Sequence, residues 1–310
     1  MSSKFRIGID LGGTKIEAAA IDSAGEIRAR QRIATPAADY AGTIRAIGGL
    51  VAAIETEIGT RASVGIGIPG TIVAATGLVK NANSTWLIGK PLQRDVEAAL
   101  ARPVRFDNDA NCFALSEAAD GAATGCANVF GVILGTGVGG GIVIGGRILT
   151  GVNAIAGEWG HNPLPWPRAD ELPGPPCYCG RFGCIETFLS GPGLAADHRR
   201  HGGDESSGPD IIAAAASGDA LSRATLDRHA ERLARGLASV INVLDPDAIV
   251  LGGGLSALPH LYQQVPALWR PYVFSDKVTT RLLPPKHGDA SGVRGAAWLW
   301  RREEIAGGLP

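Results

Sequence analysis

The chain has 310 residues, 45% of them apolar, which is enough for two lobes with a buried core each and excludes a disordered protein. Its 29 Lys plus Arg against 30 Asp plus Glu leave no field that would gather nucleic acid or an acidic membrane, so neither is expected as a partner. Glycine is in excess, with 44 residues clustered beside apolar runs, where backbone must turn tightly or come close to a ligand.

The opening MSSKFRIGIDLGG has no apolar leader segment, and no apolar stretch reaches the length of a membrane span. Residues 5–11 read as a buried strand and 16–22 as its antiparallel partner after the GGTK turn. A helical pattern covers 40–58, a strand 63–70 and a helix 109–119, with Asn108 or Asp109 placed to cap it. A second strand–glycine–strand unit fills 128–146. Set beside the first, Gly8–Thr14 faces Gly131–Gly137 at an offset of 123 residues, an echo that suggests duplicated lobes with a ligand between them. Residues 147–190 are rich in Gly, Pro and Cys and show little periodicity. A helical tract near 209–243, a strand at 248–254 and a final helix near 292–303 complete an α/β pattern.

Four groups of residues can carry chemistry. In Asp10-Leu11-Gly12-Gly13-Thr14-Lys15 the glycines let backbone N–H groups approach phosphate oxygens, Thr14 and Lys15 add a hydroxyl and a charge, and Asp10 could hold the water shell of Mg²⁺. The competing reading is a tight hairpin whose glycines merely supply positive φ. Gly135-Thr136-Gly137-Val138-Gly139-Gly140 satisfies the G-x-G-x-x-G of a dinucleotide site, but that site needs a helix next. The apolar, β-branched run from Gly141 reads instead as a returning strand, which favours a second phosphate-facing hairpin over an oxidoreductase. Asp107-Asn108-Asp109-Ala110-Asn111 offers a carboxylate to take a proton from a sugar hydroxyl, or simply a helix cap; the two roles are compatible.

The fourth group is the most specific. His161, Cys177, Cys179 and Cys184 supply one imidazole and three thiolates, a closed tetrahedral set suited to structural Zn²⁺. Three of only five cysteines crowd together here, which argues for metal in a reducing compartment and hence a cytoplasmic protein. Cys112 and Cys126 lack such partners and read as core. Glu158 and Glu186 flank the set, so an ion would draw both carboxylates to one place, where they could read a neutral polyol.

Together these residues resemble the ROK family of repressors, uncharacterised reading frames and sugar kinases. Its E-x-G-H and C-x-C-G-x-x-G-C-x-E hallmarks stand here as Glu158-Trp159-Gly160-His161 and as the run from Cys177 to Glu186. The phosphate loop, Asn108-Asp109 and the 245–256 run DPDAIVLGGGLS match as well, so nearly the whole chain is covered. Within the family the likeness is to bacterial fructokinases, also described as mannokinases, through the segments 80–86, 158–167 and 287–300. The resemblance implies the two-lobed fold of the sugar kinase, Hsp70 and actin superfamily. The lobes would span 1–117 and 118–291, the second carrying the zinc-binding segment 158–186, with the last helix (292–310) packing back on the first.

The implied activity is ATP-dependent phosphorylation of the 6-hydroxyl of fructose, with mannose as a second substrate; glucose and N-acetylhexosamines are the alternatives. Asp109 would be the catalytic base. Asn83, Asn108, Asp109, Glu158, His161 and Glu186 would line the sugar site. Gly8, Ile9, Asp10, Leu11, Gly12, Gly13, Thr14 and Lys15, with Leu134 through Gly141, would hold the phosphates of Mg–ATP, and Gly252, Gly253 and Gly254 would lie near the adenosine. Dimers are common in the family, so a homodimer is open, though the residues do not show one. Family repressors place a winged helix-turn-helix before the kinase-like part. The phosphate strand here begins at Phe5, which favours the kinase reading.

Overall fold

The structure, a computed structural model, describes residues 5–82, 84–301 and 304. Their contacts separate two compact units. One comprises Met1–Gly125, Gly141–Ala156 and Lys286–Pro310, the other Cys126–Gly140 and Gly157–Pro285.

The first unit begins with β1 (Arg6–Leu11), β2 (Lys15–Ile21) and β3 (Ile27–Ala34), an antiparallel meander. Helix α1 (Tyr40–Ile58) follows. Asp39 caps it by accepting from Gly42 N at 2.8 Å, and Gly59 ends it at φ 69°. Then come β4 (Ser63–Ile68), the short pair β5 (Thr71–Ile72) and β6 (Val79–Lys80), α2 (Leu92–Leu100), β7 (Val104–Asn108) and α3 (Asp109–Ala119). β1, β4 and β7 are mutually parallel, in the sheet order β3-β2-β1-β4-β7. Ile7, Ile9, Ile66, Ile68, Ile47 and Ile54 are fully buried between sheet and helices. By register, Asp10 sits beside Gly67, and Gly67 and Ile68 beside Asp107 and Asn108. The polar residues therefore gather at the carboxyl ends of three parallel strands, where open α/β sheets bind ligands.

The next elements are β8 (Asn128–Leu134), β9 (Val138–Ile144) and β10 (Arg147–Ile148). Of the segment 147–190 expected to be irregular, residues 149–185 hold only two single 3₁₀ turns, while β10 opens it and a short helix from Glu186 lies at its end. After them come α4 (Glu186–Leu189), α5 (Gly191–Arg200), α6 (Gly208–Ala216), α7 (Ala220–Leu244), β11 (Ala248–Gly252), α8 (Pro259–Leu268), β12 (Arg281–Leu283) and α9 (Ser291–Trp298). The tract expected as one helix over 209–243 is two. The chain breaks at Ser217-Gly218, and Asp219 caps α7 by accepting from Ser222 N at 2.7 Å. The second sheet runs β10-β9-β8-β11-β12 with β8, β11 and β12 parallel. This repeats the first sheet's order, three consecutive strands and then two parallel additions, and supports the duplication suggested by the 123-residue echo.

Helix α9 belongs to the first unit and lies against β1, β4 and α3. A Cβ on Gly8 would stand 1.9 Å from Val293 O, one on Gly65 1.9 Å from Ala296 O, and one on Gly295 1.6 Å from Cys112 O. Side chains are missing there because backbone touches backbone.

The second unit is tied by a buried ion network. Glu171 accepts from Arg232 Nε at 2.7 Å and from both terminal nitrogens of Arg235 at 2.8 Å, while Asp197 accepts from a second Arg232 nitrogen at 2.7 Å. Burial raises the Glu171 pKa, but the guanidiniums of Arg235 and Arg232 outweigh it and lower it from 4.5 to about 2. A depressed carboxylate stabilises the fold above its unfolded pKa and loses that contribution as pH falls through the folded one. Glu171 should thus contribute on the order of 3 kcal/mol at neutral pH, lost between pH 4.5 and about 2. Glu171→Gln leaves two buried guanidiniums short of charge and is expected to cost about 3 kcal/mol in urea unfolding at pH 7, with a flatter acid limb. Unchanged urea unfolding at pH 7 would remove the network from this role.

Candidate active site

In the first unit the glycine loop closes between β1 and β2 through Gly12 N donating to Lys15 O at 3.0 Å. Neither Gly12 nor Gly13 has positive φ. What Gly12 gives is room: a Cβ there would lie 2.9 Å from Lys15 O. The hairpin's own close packing therefore needs this glycine, for contact and not for φ, and both readings of the loop stay open. Thr35 braces the loop, its hydroxyl donating to Gly12 O at 2.7 Å and its N–H to Thr14 O at 3.0 Å. Gly8 and Ile9 are occupied within the fold, Gly8 under α9 and Ile9 in the core.

Burial first, then the neighbouring Asp109 carboxylate, pushes the Asp10 pKa up to about 6. A cation placed at Asp10 would relieve both effects, so the donor chemistry fits Mg²⁺.

Asn108 ends β7 and caps α3, accepting from Ala110 N at 2.9 Å, while its amide donates to Gly70 O at 3.1 Å. Asp109 is the first residue of the helix, exposed, with Oδ1 accepting from Ala110 N at 2.8 Å. Asn108 is thus the cap and Asp109 the first helical residue, at a helix N-terminus that favours a carboxylate. Asp107 and Asn111 support them. Asn111 Nδ2 donates to Asp107 Oδ1 at 2.7 Å, and Asn108 N donates to the same oxygen at 2.8 Å. These two had no role in the sequence reading, although their four-residue spacing across a helix start could have suggested one. Cys112, fully buried, is core as expected. Gly141 lies against α3, where a Cβ would meet Ala110 O at 2.5 Å. Asn83 lies outside the described residues.

In the second unit the run Leu134–Gly140 forms the turn from β8 into β9. The G-x-G-x-x-G segment therefore opens a strand and not a helix, which removes the dinucleotide-site geometry. Gly135 N donates to Gly137 O at 3.0 Å. Gly252 pairs with Ile133, and Gly253, at φ 79°, lies so close that a Cβ would meet Leu134 O at 2.4 Å. Gly252–Gly254 thus flank the second glycine turn.

The hallmark acids and ligands lie against that turn. A 3₁₀ turn, Trp159–His161, follows Glu158; Trp159 Nε1 donates to Gly139 O at 3.0 Å, and Gly160 fits where a Cβ would meet Val138 O at 2.1 Å. Glu186 begins α4, and its Oε2 accepts from Val138 N at 2.9 Å. Thr136 and Gly137 are therefore held between the glutamate and the end of β8.

The ligand atoms of His161, Cys177, Cys179 and Cys184 all lie within 4.8 Å of one another. Cys177 Sγ is 3.5 Å from His161 Nδ1, and Cys179 Sγ is 3.6 Å from Cys184 Sγ. A tetrahedron of ~2.3 Å zinc–sulfur bonds sets sulfurs about 3.8 Å apart, so the donor set fits Zn²⁺ in type and spacing. Gly180 and Gly183 make the turns between ligands at φ 85° and 68°. Ile185 N donates to Asn162 O at 2.9 Å, which fixes the residue before Glu186 to the residue after His161. His161 Nε2 points away from the cluster to Tyr178 Oη at 2.9 Å.

Among the described residues no helix is long and apolar enough to cross a membrane. Residues 6–303 match the sequence profile of the ROK family. The N-acetyl-D-glucosamine kinase of Shigella boydii is 41% identical over 305 residues, covering 94% of this chain and 98% of that one. The ROK hexokinase of Thermus thermophilus is similar in structure, with TM-score 0.86, 31% identity and coverage of 98% and 100%. A ROK glucokinase from Streptomyces griseus, solved with glucose and AMPPNP, gives TM-score 0.76 and 30% identity over 96% and 99%.

Proposed function

This chain belongs to the ROK family, and from that premise we propose that it is an ATP-dependent sugar kinase acting on the 6-hydroxyl of a free hexose. The observation that carries the reading is the exposed Asp109 carboxylate on a helix start pinned by Asn108, at the same sheet edge as the glycine loop Asp10–Lys15.

Asp109 accepts the hydroxyl proton as the sugar oxygen bonds to the γ-phosphorus, and the bond from that phosphorus to the bridging oxygen of ADP breaks. Asn108 holds one sugar hydroxyl. The amides of Gly12 to Lys15 and of the Leu134–Gly141 turn bind phosphate oxygens, with Gly252 to Gly254 near the adenosine. Asp10 would hold Mg²⁺, which supplies charge neutralisation on the phosphates. Glu158, Glu186 and the Nε2 of His161 bind further hydroxyls. His161 Nδ1, Cys177, Cys179 and Cys184 would hold Zn²⁺, which supplies rigidity and no reactivity, since the set leaves no open position. The division into lobes 1–117 and 118–291, the cytoplasmic location and an Asn83 contact stay part of this proposal.

The identity of the hexose needs revision from the sequence reading. The relatives include N-acetyl-D-glucosamine kinases of Shigella boydii and Vibrio cholerae and a ROK glucokinase of Streptomyces griseus, which supports an N-acetylhexosamine or glucose over fructose. Fructose is kept as the second reading because segments 80–86, 158–167 and 287–300 favour it. An ADP-release assay across N-acetylglucosamine, glucose, fructose and mannose decides. The expected result is a kcat/KM at least about tenfold higher for N-acetylglucosamine or glucose than for fructose, the scale one well-met hydroxyl contributes. The reverse order would restore fructose, and no turnover of any hexose would end the kinase reading.

A further inference from the structure

The segment after β6 contains two buried donors without partners among the described residues, Ser84 Oγ and Trp86 Nε1. Ser84 is only 2% exposed. It stands at the N-terminus of the 3₁₀ turn Thr85–Leu87 but makes no cap with its side chain. A hydroxyl buried without a hydrogen bond costs roughly 1–3 kcal/mol, so a fold retains one where another state of the molecule satisfies it.

Its neighbours indicate what that state contains. Ser84 Oγ is 3.4 Å from where a Cβ would stand on Gly13, so it faces the glycine loop at the residue with no side chain. The same segment presses on Gly70, where a Cβ would lie 2.8 Å from Ala82 N, and Gly70 O accepts from the Asn108 amide at 3.1 Å. Ser84 thus lies on the wall that runs from the phosphate loop to the turn bearing Asp109. A small hydroxyl there matches a phosphoryl oxygen in size and polarity.

We propose that Ser84 is a catalytic residue whose hydroxyl donates a hydrogen bond to an oxygen of the phosphoryl group while it is being transferred. The proposal rests on the sugar-kinase reading above. Ser84 neither gives up nor gains a proton; it stabilises charge on the phosphoryl oxygens alongside the loop amides.

The test is Ser84→Ala, followed by steady-state kinetics with the hexose that the wild-type chain turns over best and by thermal melting. The expected result is a kcat lower by about 10- to 100-fold, KM values for hexose and ATP within about twofold, and a Tm held or raised because an unsatisfied hydroxyl is gone. A kcat within twofold of wild type overturns the proposal. So does a raised hexose KM at unchanged kcat, which would make Ser84 a contact to the resting sugar, and so does a Tm that falls together with the rate, which would make it a packing residue. Wild-type chain that phosphorylates no hexose would remove the sugar-kinase reading and Ser84's role with it. An active wild type with an equally active variant would remove Ser84 alone.

Discussion

Asp109→Asn protein is expected to bind hexose and Mg–ATP much as wild type does and to turn over about 10³-fold more slowly. The substitution is nearly isosteric, and the cap that fixes α3 belongs to Asn108, so the helix start should survive it. The asparagine still offers an oxygen to Ala110 N in place of the carboxylate that accepts there now at 2.8 Å. What it cannot do is accept a proton from the attacking hydroxyl. The loss should therefore fall on kcat and leave both KM values within a few-fold, since the interaction removed forms only in the transition state. Melting should show no loss, and Tm could gain slightly because the Asp109 charge bears on buried Asp10. Stopped-flow or coupled ADP release reads the rate directly. A variant within tenfold of the wild-type rate would take the base role away from Asp109.

The sequence exposed those parts whose signal is local. The 40–58 and 109–119 helices match α1 and α3 to the residue, because each has its cap and its run of helix-forming residues in one short stretch. Both glycine hairpins were legible for the same reason. Elements whose logic is cross-chain were passed over. β3 (IRARQRIA) carries no strong apolar alternation, and it pairs along β2, with Arg30 and Arg32 donating to Glu17. α8 carries Pro266 inside it, and β7 is five residues with three polar side chains. In the site, the metal-type cluster and Asn108-Asp109 could be named from spacing alone. The hydrogen bond from Val138 N to Glu186 could not, since 48 residues separate them. Nor could the burial of Ser84, whose neighbour Gly13 lies in another hairpin. The preferred hexose was the least legible of all, because it depends on which hydroxyls meet which donors and not on residue types in a row.

The largest structural effect is expected from Cys179→Ser. Cys179 has Cys184 Sγ at 3.6 Å and shares the cluster with Cys177 and His161, so its loss leaves three ligands where zinc prefers four. Protein purified with zinc should carry close to one ion per chain for wild type and well under half for the variant by mass spectrometry. The turns at Gly180 and Gly183 sit at positive φ with few apolar contacts around them; Phe182 is 60% exposed and Tyr178 84%. Backbone bonds such as Cys177 N to Arg181 O and Gly180 N to Cys177 O shape the loop, and a bound ion would tie its four side chains together, so Tm should fall by about 10 °C or more, the equivalent of a few kcal/mol. The consequence for sugar follows through the backbone. His161 itself is a ligand, Glu158 stands three residues before it, and Glu186 is fixed two residues after Cys184 by the Ile185 N to Asn162 O bond. Loosening the cluster should raise the hexose KM at least about tenfold, the scale on which supporting shells act, while the first unit's own groups, Asp10 and Asp109, keep their places. A zinc-free variant with wild-type Tm and wild-type hexose KM would show instead that the four side chains are a packed cluster of free thiols beside a histidine.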